Sequence, residues 1–177
     1  PKNLPTLADI KAIRLNIHEF PPHEFMSSFF YDSWQQIETI QNYYSINSVF
    51  SITVDIKSER DEIDCPSLKF YKDFSRNLFF PNSNNIAVGD VNIASAQKDI
   101  LFVNGFKAKP TSCSFYQFDE NFFYVFHGVF ESDIDQDTIP PKRLKEILMF
   151  DRSFTIQFQE TGFAITNDSL FIHMYTY

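Results

Sequence analysis

The run Phe122-Phe123-Tyr124-Val125-Phe126-His127-Gly128-Val129-Phe130 constrains this chain more than any other stretch. Aromatic and β-branched residues dominate it, which makes it a strand, and on a strand successive side chains point to opposite faces. One face then carries Phe122, Tyr124, Phe126 and Phe130, and the other carries Phe123, Val125, His127 and Val129. An antiparallel sheet with one wetted face alternates apolar and polar residues. The strand from Asn121 to Glu131 does not. Either the chain covers both faces itself, or a second protein covers one of them. The rest of the sequence favours the second protein.

With 177 residues the chain makes one domain with a substantial core. It has 22 Phe against 4 Gly, so the core is bulky and glycine turns are few. One small core does not hide that many rings, and an exposed apolar patch marks a binding site. The first residue is Pro1 rather than Met, which points to a segment of a longer protein whose other modules share its work. A net charge of −8 argues against this segment alone gripping nucleic acid, because phosphate contacts need clustered Lys and Arg. Cys65 and Cys113 make no disulfide framework, which suits a reducing, intracellular compartment. No apolar run approaches the roughly 20 residues of a membrane span, so no membrane insertion is expected.

Residues 1–20 read as a connector, with Ile13, Leu15 and Ile17 alternating in a short extended piece; the domain proper is 21–177. Pro21-Pro22 open a helix whose inner face is Phe25, Met26, Phe29 and Phe30. A second short helix follows Ser33 with Ile37, Ile40 and Tyr44 inward, and Phe50, Ile52 and Val54 alternate as a strand. Asp55 to Ser67 reads as an exposed loop, Phe70, Phe74 and Leu78 as a short helix, and Pro81 to Asn85 as a polar turn. Asp90 starts a helix running to about Asn104, stopped by Gly105. Strands follow. Ser114, Tyr116 and Phe118 turn at Asp119-Glu120-Asn121 into the opening strand. An insertion at about 133–150 begins acidic, passes Pro140-Pro141 and continues as a short basic helix with Leu144, Ile147 and Leu148 on one side. Phe154, Ile156 and Phe158 alternate, Glu160-Thr161-Gly162 turns, and Asn167-Asp168 reads as a kink before a last strand, Leu170 to Tyr175. Helices first and strands second predict an α+β fold, a curved antiparallel sheet with helices packed on one face.

The sequence offers little chemistry. Asp133, Asp135 and Asp137 start like a calcium loop, but Thr138 and Leu144 stand where such a loop needs Gly and Glu. His18, His23, His127 and His173 lack paired metal spacing, so no metal and no cofactor is expected. Cys113 has no nucleophile signature and reads as a small buried residue. Lys142, Arg143 and Lys145 form a basic cluster, read first as a solvated face and alternatively as a contact for an acidic partner or RNA phosphate.

Several runs resemble a family in order along the chain. They are FMSSFFYDSWQQIETIQNYYSINSVFSITVD (Phe25–Asp55), FYKDFSRN (Phe70–Asn77), FHGVFES (Phe126–Ser132), FDRSF (Phe150–Phe154) and GFAITNDSLFI (Gly162–Ile172). SRN and ITNDSLF are the more specific of them. The chain resembles the nuclear transport factor 2-like domain of TAP/NXF-type messenger RNA export receptors, particularly the fungal members. The resemblance implies a cone-like α+β domain paired sheet to sheet with a small subunit of the same fold, through Phe123, Val125, His127, Val129, Phe171 and His173. It implies no enzyme activity, contact with Phe-Gly repeats of nucleoporins, and shuttling between nucleus, pore and cytoplasm. RNA cargo would be held through other modules or the heterodimer. By position, the Phe-Gly pocket corresponds to Met26, Phe158 and Phe163. Phe158 replaces a proline of the animal members, and their acidic interface residue has no counterpart near Cys113 to Phe118, so a more apolar interface is expected here.

Two alternatives differ in class. The same fold supports small isomerases and dehydratases, which need an open cavity with a buried carboxylate. Phe154, Ile156 and Phe158 would fill such a cavity. A purely structural dimerisation domain is the other, and Phe-Gly binding separates it from a transport domain.

Overall fold

The computed structural model describes residues 21–57, 61, 65–76, 86–102, 108–136 and 142–174. The connector at 1–20, the turn at Pro81 to Asn85, Leu78 and Gly105 lie outside the described residues. Helix α1 spans Pro21–Gln35, with the two prolines in its first turn, where a missing N–H costs nothing. It buries Met26, Phe29 and Phe30 as the spacing requires. Instead of a second α-helix, a 3-10 helix follows at Ile37–Tyr43, and Tyr44 begins strand β1 (Tyr44–Val54).

Helix α2 is Pro66–Lys72, shorter than the aromatic spacing suggests; beyond it Ser75 bridges to Ile52. Cys65 and Ser67, expected in an exposed loop, are buried, because Pro66 starts this helix against the sheet. Strand β2 is Ile86–Val88, and helix α3, Asp90–Ala96, continues as a π-helical turn, Gln97–Phe102.

Strands β3 (Lys109–Phe118), β4 (Asn121–Gln136), β5 (Lys142–Gln159) and β6 (Gly162–Met174) complete a six-stranded sheet in the order β2-β1-β6-β5-β4-β3. The sheet is mixed. β1 and β6 run parallel and every other pair is antiparallel. A parallel pair needs a long crossover, which is supplied by nearly the whole intervening chain.

The basic helix expected after Pro141 is instead the first half of β5, in unbroken register with β4 from Gln136↔Lys142 to Asn121↔Gln157. Leu144, Ile147 and Leu148 fit a helix, but Leu148, Phe150, Phe154 and Ile156 carry a period of two that the partner strand enforces. Asn167-Asp168 is no kink either. Both pair with β1 and β5, and the only irregularity between β5 and β6 lies between Thr155 and Ile156.

The helices pack on one face of the sheet. Phe29 and Phe30 meet Phe154, and Phe30 also meets Phe126 at 4.7 Å between ring centres. Each fully buried Phe contributes roughly 1.5–3 kcal/mol. Gly128 on the same face is required by close approach, since a Cβ there would lie 2.3 Å from the Lys109 carbonyl oxygen.

Candidate interaction face and core polar centre

The opening strand keeps its two faces apart. Tyr124, Phe126 and Phe130 are 1–3% exposed beneath the helices. On the opposite face none of Phe123, Val125, His127, Val129, Phe171 and His173 is buried. Register brings these six residues, expected as partner contacts, onto one side of β4 and β6, across Ser153 and Asp151 of β5. Tyr116 (53% exposed), Phe118 (69%) and Ile147 (57%) extend the same side. Its centre is polar. His127 Nδ1 contacts Asp151 Oδ1, and His173 Nε2 lies 3.4 Å from Asp151 Oδ2. The face is therefore apolar around a His-Asp-His cluster rather than uniformly apolar.

Beneath the helices lies a second polar centre that sequence reasoning missed. Arg152, 2% exposed, donates from Nε to Asp168 Oδ1 at 2.8 Å and from Nη2 to Asp168 Oδ2 at 2.6 Å. Tyr44 Oη donates to Asp168 Oδ2 at 2.6 Å, and Gln97 Nε2, carried by the π-helical turn, donates to Tyr44 Oη and, at 3.3 Å, to Asp168 Oδ2. The guanidinium also lies over the rings of Phe29, Phe50 and Phe154, at 5.0–5.8 Å. Burial first, then the Asp168 charge, pushes the Tyr44 hydroxyl well above its ordinary range; the Asp168 charge keeps Arg152 firmly cationic against its burial. A buried carboxylate is what an active site on this fold needs. This one is fully enclosed, with its lone pairs taken by four donors, and offers a substrate neither access nor a free base. The missed signal was phase: Arg152 alternates with Phe150 and Phe154, and Asp168 with Leu170 and Ile172, at core positions.

The three residues matched to a Phe-Gly pocket are not equivalent. Met26 is 2% exposed and gives no surface. Phe158 is 62% exposed and meets Phe163 at 5.1 Å across the β5–β6 turn, where Gly162 adopts φ +114°. Phe163 is half-buried, backed by Phe25 at 6.0 Å and Phe122 at 5.8 Å. The surface here is an aromatic patch of Phe158 and Phe163, with Phe25 behind it.

Cys113 is buried as expected, and burial pushes its thiol up to about 12. Burial, then Glu146, pushes the Cys65 thiol up to about 12 as well; Sγ donates to Glu146 Oε2 at 3.4 Å. Neither is a nucleophile at neutral pH. Among the described residues no cluster of His, Cys, Asp or Glu could hold a metal, and no helix is long and apolar enough to cross a membrane.

Solved structures share this fold. A chain of the Candida albicans Mtr2–Mex67 M domain complex superposes with a TM-score of 0.63 at 17% identity, over 86% of this chain and 93% of that one. The Chaetomium thermophilum Mex67 NTF2-like domain complexed with Mtr2 gives 0.56 at 19% identity, over 86% and 84%. A structure of Sac3N peptide bound to Mex67:Mtr2 gives 0.55 at 16% identity, over 86% and 88%. No curated protein sequence matches significantly. The profile described as "Nuclear RNA export factor, NTF2 domain" matches residues 22–173, in agreement with the runs that carried the resemblance. The chain belongs to the nuclear RNA export factor family, of which it is the NTF2 domain.

Proposed function

We propose that this domain pairs through its open sheet face with a small subunit of the same fold, and that the pair serves messenger RNA export by contacting Phe-Gly nucleoporins. The observation that carries the reading is the open face itself, with Phe123, Val125, Val129 and Phe171 around the His127–Asp151–His173 cluster. A soluble monomer rarely leaves so broad an apolar surface uncovered. The pairing of Mex67 chains with Mtr2 in the similar structures supports this choice of partner. An obligate interface of this kind buries more than about 2,000 Å² in total. Such a domain shuttles between nucleus, pore and cytoplasm, with RNA held by other modules or by the pair.

Phe-Gly contact is assigned to Phe158 and Phe163. The repeats are disordered, so each contact is weak and fast to release. Burying one ring contributes roughly 1.5–3 kcal/mol, which limits a single repeat to about high-micromolar affinity at best. The test uses the co-expressed pair. Val125→Asp buries an unpaired charge in the interface and abolishes co-purification. Phe158→Arg leaves pairing intact and removes the shifts produced by a Phe-Gly peptide in an NMR titration. Stable monomer at micromolar concentration refutes the pairing. Unchanged peptide binding by Phe158→Arg refutes the patch, and no peptide binding by the parent leaves a structural dimerisation domain.

A further inference from the structure

We infer that pairing with the small subunit takes up one proton at His173, so that the complex loosens as pH rises. This rests on the pairing proposed above and specifies its regulation. Asp151 stands between two imidazoles, with His127 Nδ1 against Oδ1 and His173 Nε2 3.4 Å from Oδ2. Facing a carboxylate, His127 Nδ1 donates, which a neutral ring does in one tautomer. With both rings neutral the cluster carries one negative charge. In the separated domain water reaches that carboxylate, whose side chain is 37% exposed. A partner seated on the face expels the water, and an uncompensated anion at a dry interface is costly. One proton on an imidazole makes the cluster neutral, whereas a second leaves it positive. Histidine is the side chain that changes charge near neutral pH.

The two rings are not equivalent. His173 Nε2 is buried and makes no hydrogen bond, although Asp151 is within ion-pair reach. Its side chain is 24% exposed, against 46% for His127. An imidazolium bears hydrogen on both nitrogens, so protonation gives His173 a charge-assisted donor toward Asp151 whichever neutral tautomer it replaces. The neighbours in register are Ser112 on β3, Met149 and Ser153 on β5, Phe171 on β6 and Thr53 on β1, none of them ionisable. Among the described residues, the charged groups next along these strands are Lys109 opposite Val129, Glu131 opposite Ile147, and Asp55, which pairs with Lys57 at 3.6 Å. Arg152 is held by Asp168 on the helix side. Both carboxylate oxygens of Asp151 thus face imidazoles of this chain, and the neutralising proton comes to one of them. A pair that binds one more proton than its separated chains weakens by at most about tenfold per pH unit.

The test dilutes the co-expressed pair, with a donor and an acceptor fluorophore on its two chains, at pH values from about 7 to 8.5, above the usual imidazole range. Loss of energy transfer gives the dissociation constant. It is expected to rise about five- to tenfold per pH unit for the parent and for His127→Gln, and less than about twofold for His173→Gln and Asp151→Asn. A flat parent profile overturns the inference and points to a partner cation over Asp151. A slope that survives His173→Gln or Asp151→Asn, or that His127→Gln removes, overturns the assignment to His173. Should a variant fail to pair, the unaltered pair still decides: diluted in weakly buffered indicator dye, it should release about one proton per dissociation, and release of none overturns the inference. A parent that runs as separate monomers at micromolar concentration overturns the pairing reading, and this inference with it.

Discussion

Replacing Asp168 by Leu should cost more stability than replacing Arg152 by Met, although both break the same ion pair. Without Asp168 the guanidinium keeps its charge, loses both hydrogen bonds, and stays enclosed by Phe29, Phe50 and Phe154. A guanidinium cannot shed its proton to escape this. Without Arg152, Asp168 still accepts from Tyr44 and Gln97. Breaking a buried pair costs about 3–5 kcal/mol, so Asp168→Leu belongs at the upper end and Arg152→Met at the lower. In a domain of this size about 4 kcal/mol lowers Tm by roughly 8–16 °C. Replacing both restores an apolar core of similar volume and should recover about half the loss or more, the residue being the acceptor that Tyr44 and Gln97 no longer have. The assay is urea unfolding of the pair at fixed concentration, analysed as a double-mutant cycle, because partner binding adds to apparent stability. Asp168→Leu within about 1 kcal/mol of the parent, or Arg152→Met the worse variant, would refute the reasoning.

Further predictions follow from local geometry. Gly128→Ala drives a methyl group to 2.3 Å from the Lys109 carbonyl and should push β3 away from β4, costing about 1–3 kcal/mol by thermal unfolding. Both thiols, raised to about 12, hold less thiolate than a free cysteine, so at pH 8 a disulfide reagent should label them on the order of a thousandfold more slowly than a peptide thiol, with full labelling only in denaturant. Labelling at the peptide rate in the native pair would show that neither is buried. Asp151→Asn removes the charge between His127 and His173 while keeping the shape, and should weaken pairing measured by calorimetry. An unchanged dissociation constant would place the cluster outside the interface.

Much of this architecture was legible because aromatic residues mark period and phase together. The first helix, the β3–β4 hairpin and the two faces of β4 follow from the spacing of aromatic and other apolar residues together with the Pro21-Pro22 start and the Asp119-Glu120-Asn121 turn. Two kinds of feature did not. Strand pairing decided the segment after Pro141, where three apolar residues fit either period and only the continuous ladder to β4 selects the strand. Polar residues in core phase misled in the other direction. Asn167-Asp168 has the composition of a turn, yet Asp168 is fully buried because Arg152, sixteen residues earlier, neutralises it across the sheet. Exposure also redistributed the matched pocket. Met26 has the right position along the chain, but its helix turns that face to the core.

The parallel pairing of β1 with β6 sets the order in which the molecule can assemble. Tyr44 and Asp168, 124 residues apart, are hydrogen-bonded inside that seam. A nascent chain emerging from the ribosome therefore has β1 in hand long before the strand that completes its ladder and supplies its buried anion. Non-local closure of this kind slows folding and prolongs exposure of unpaired strands and aromatic surface. The domain should reach its native state only after its last strand is free of the exit tunnel, and production in cells should depend on chaperones and on a partner already present to receive it.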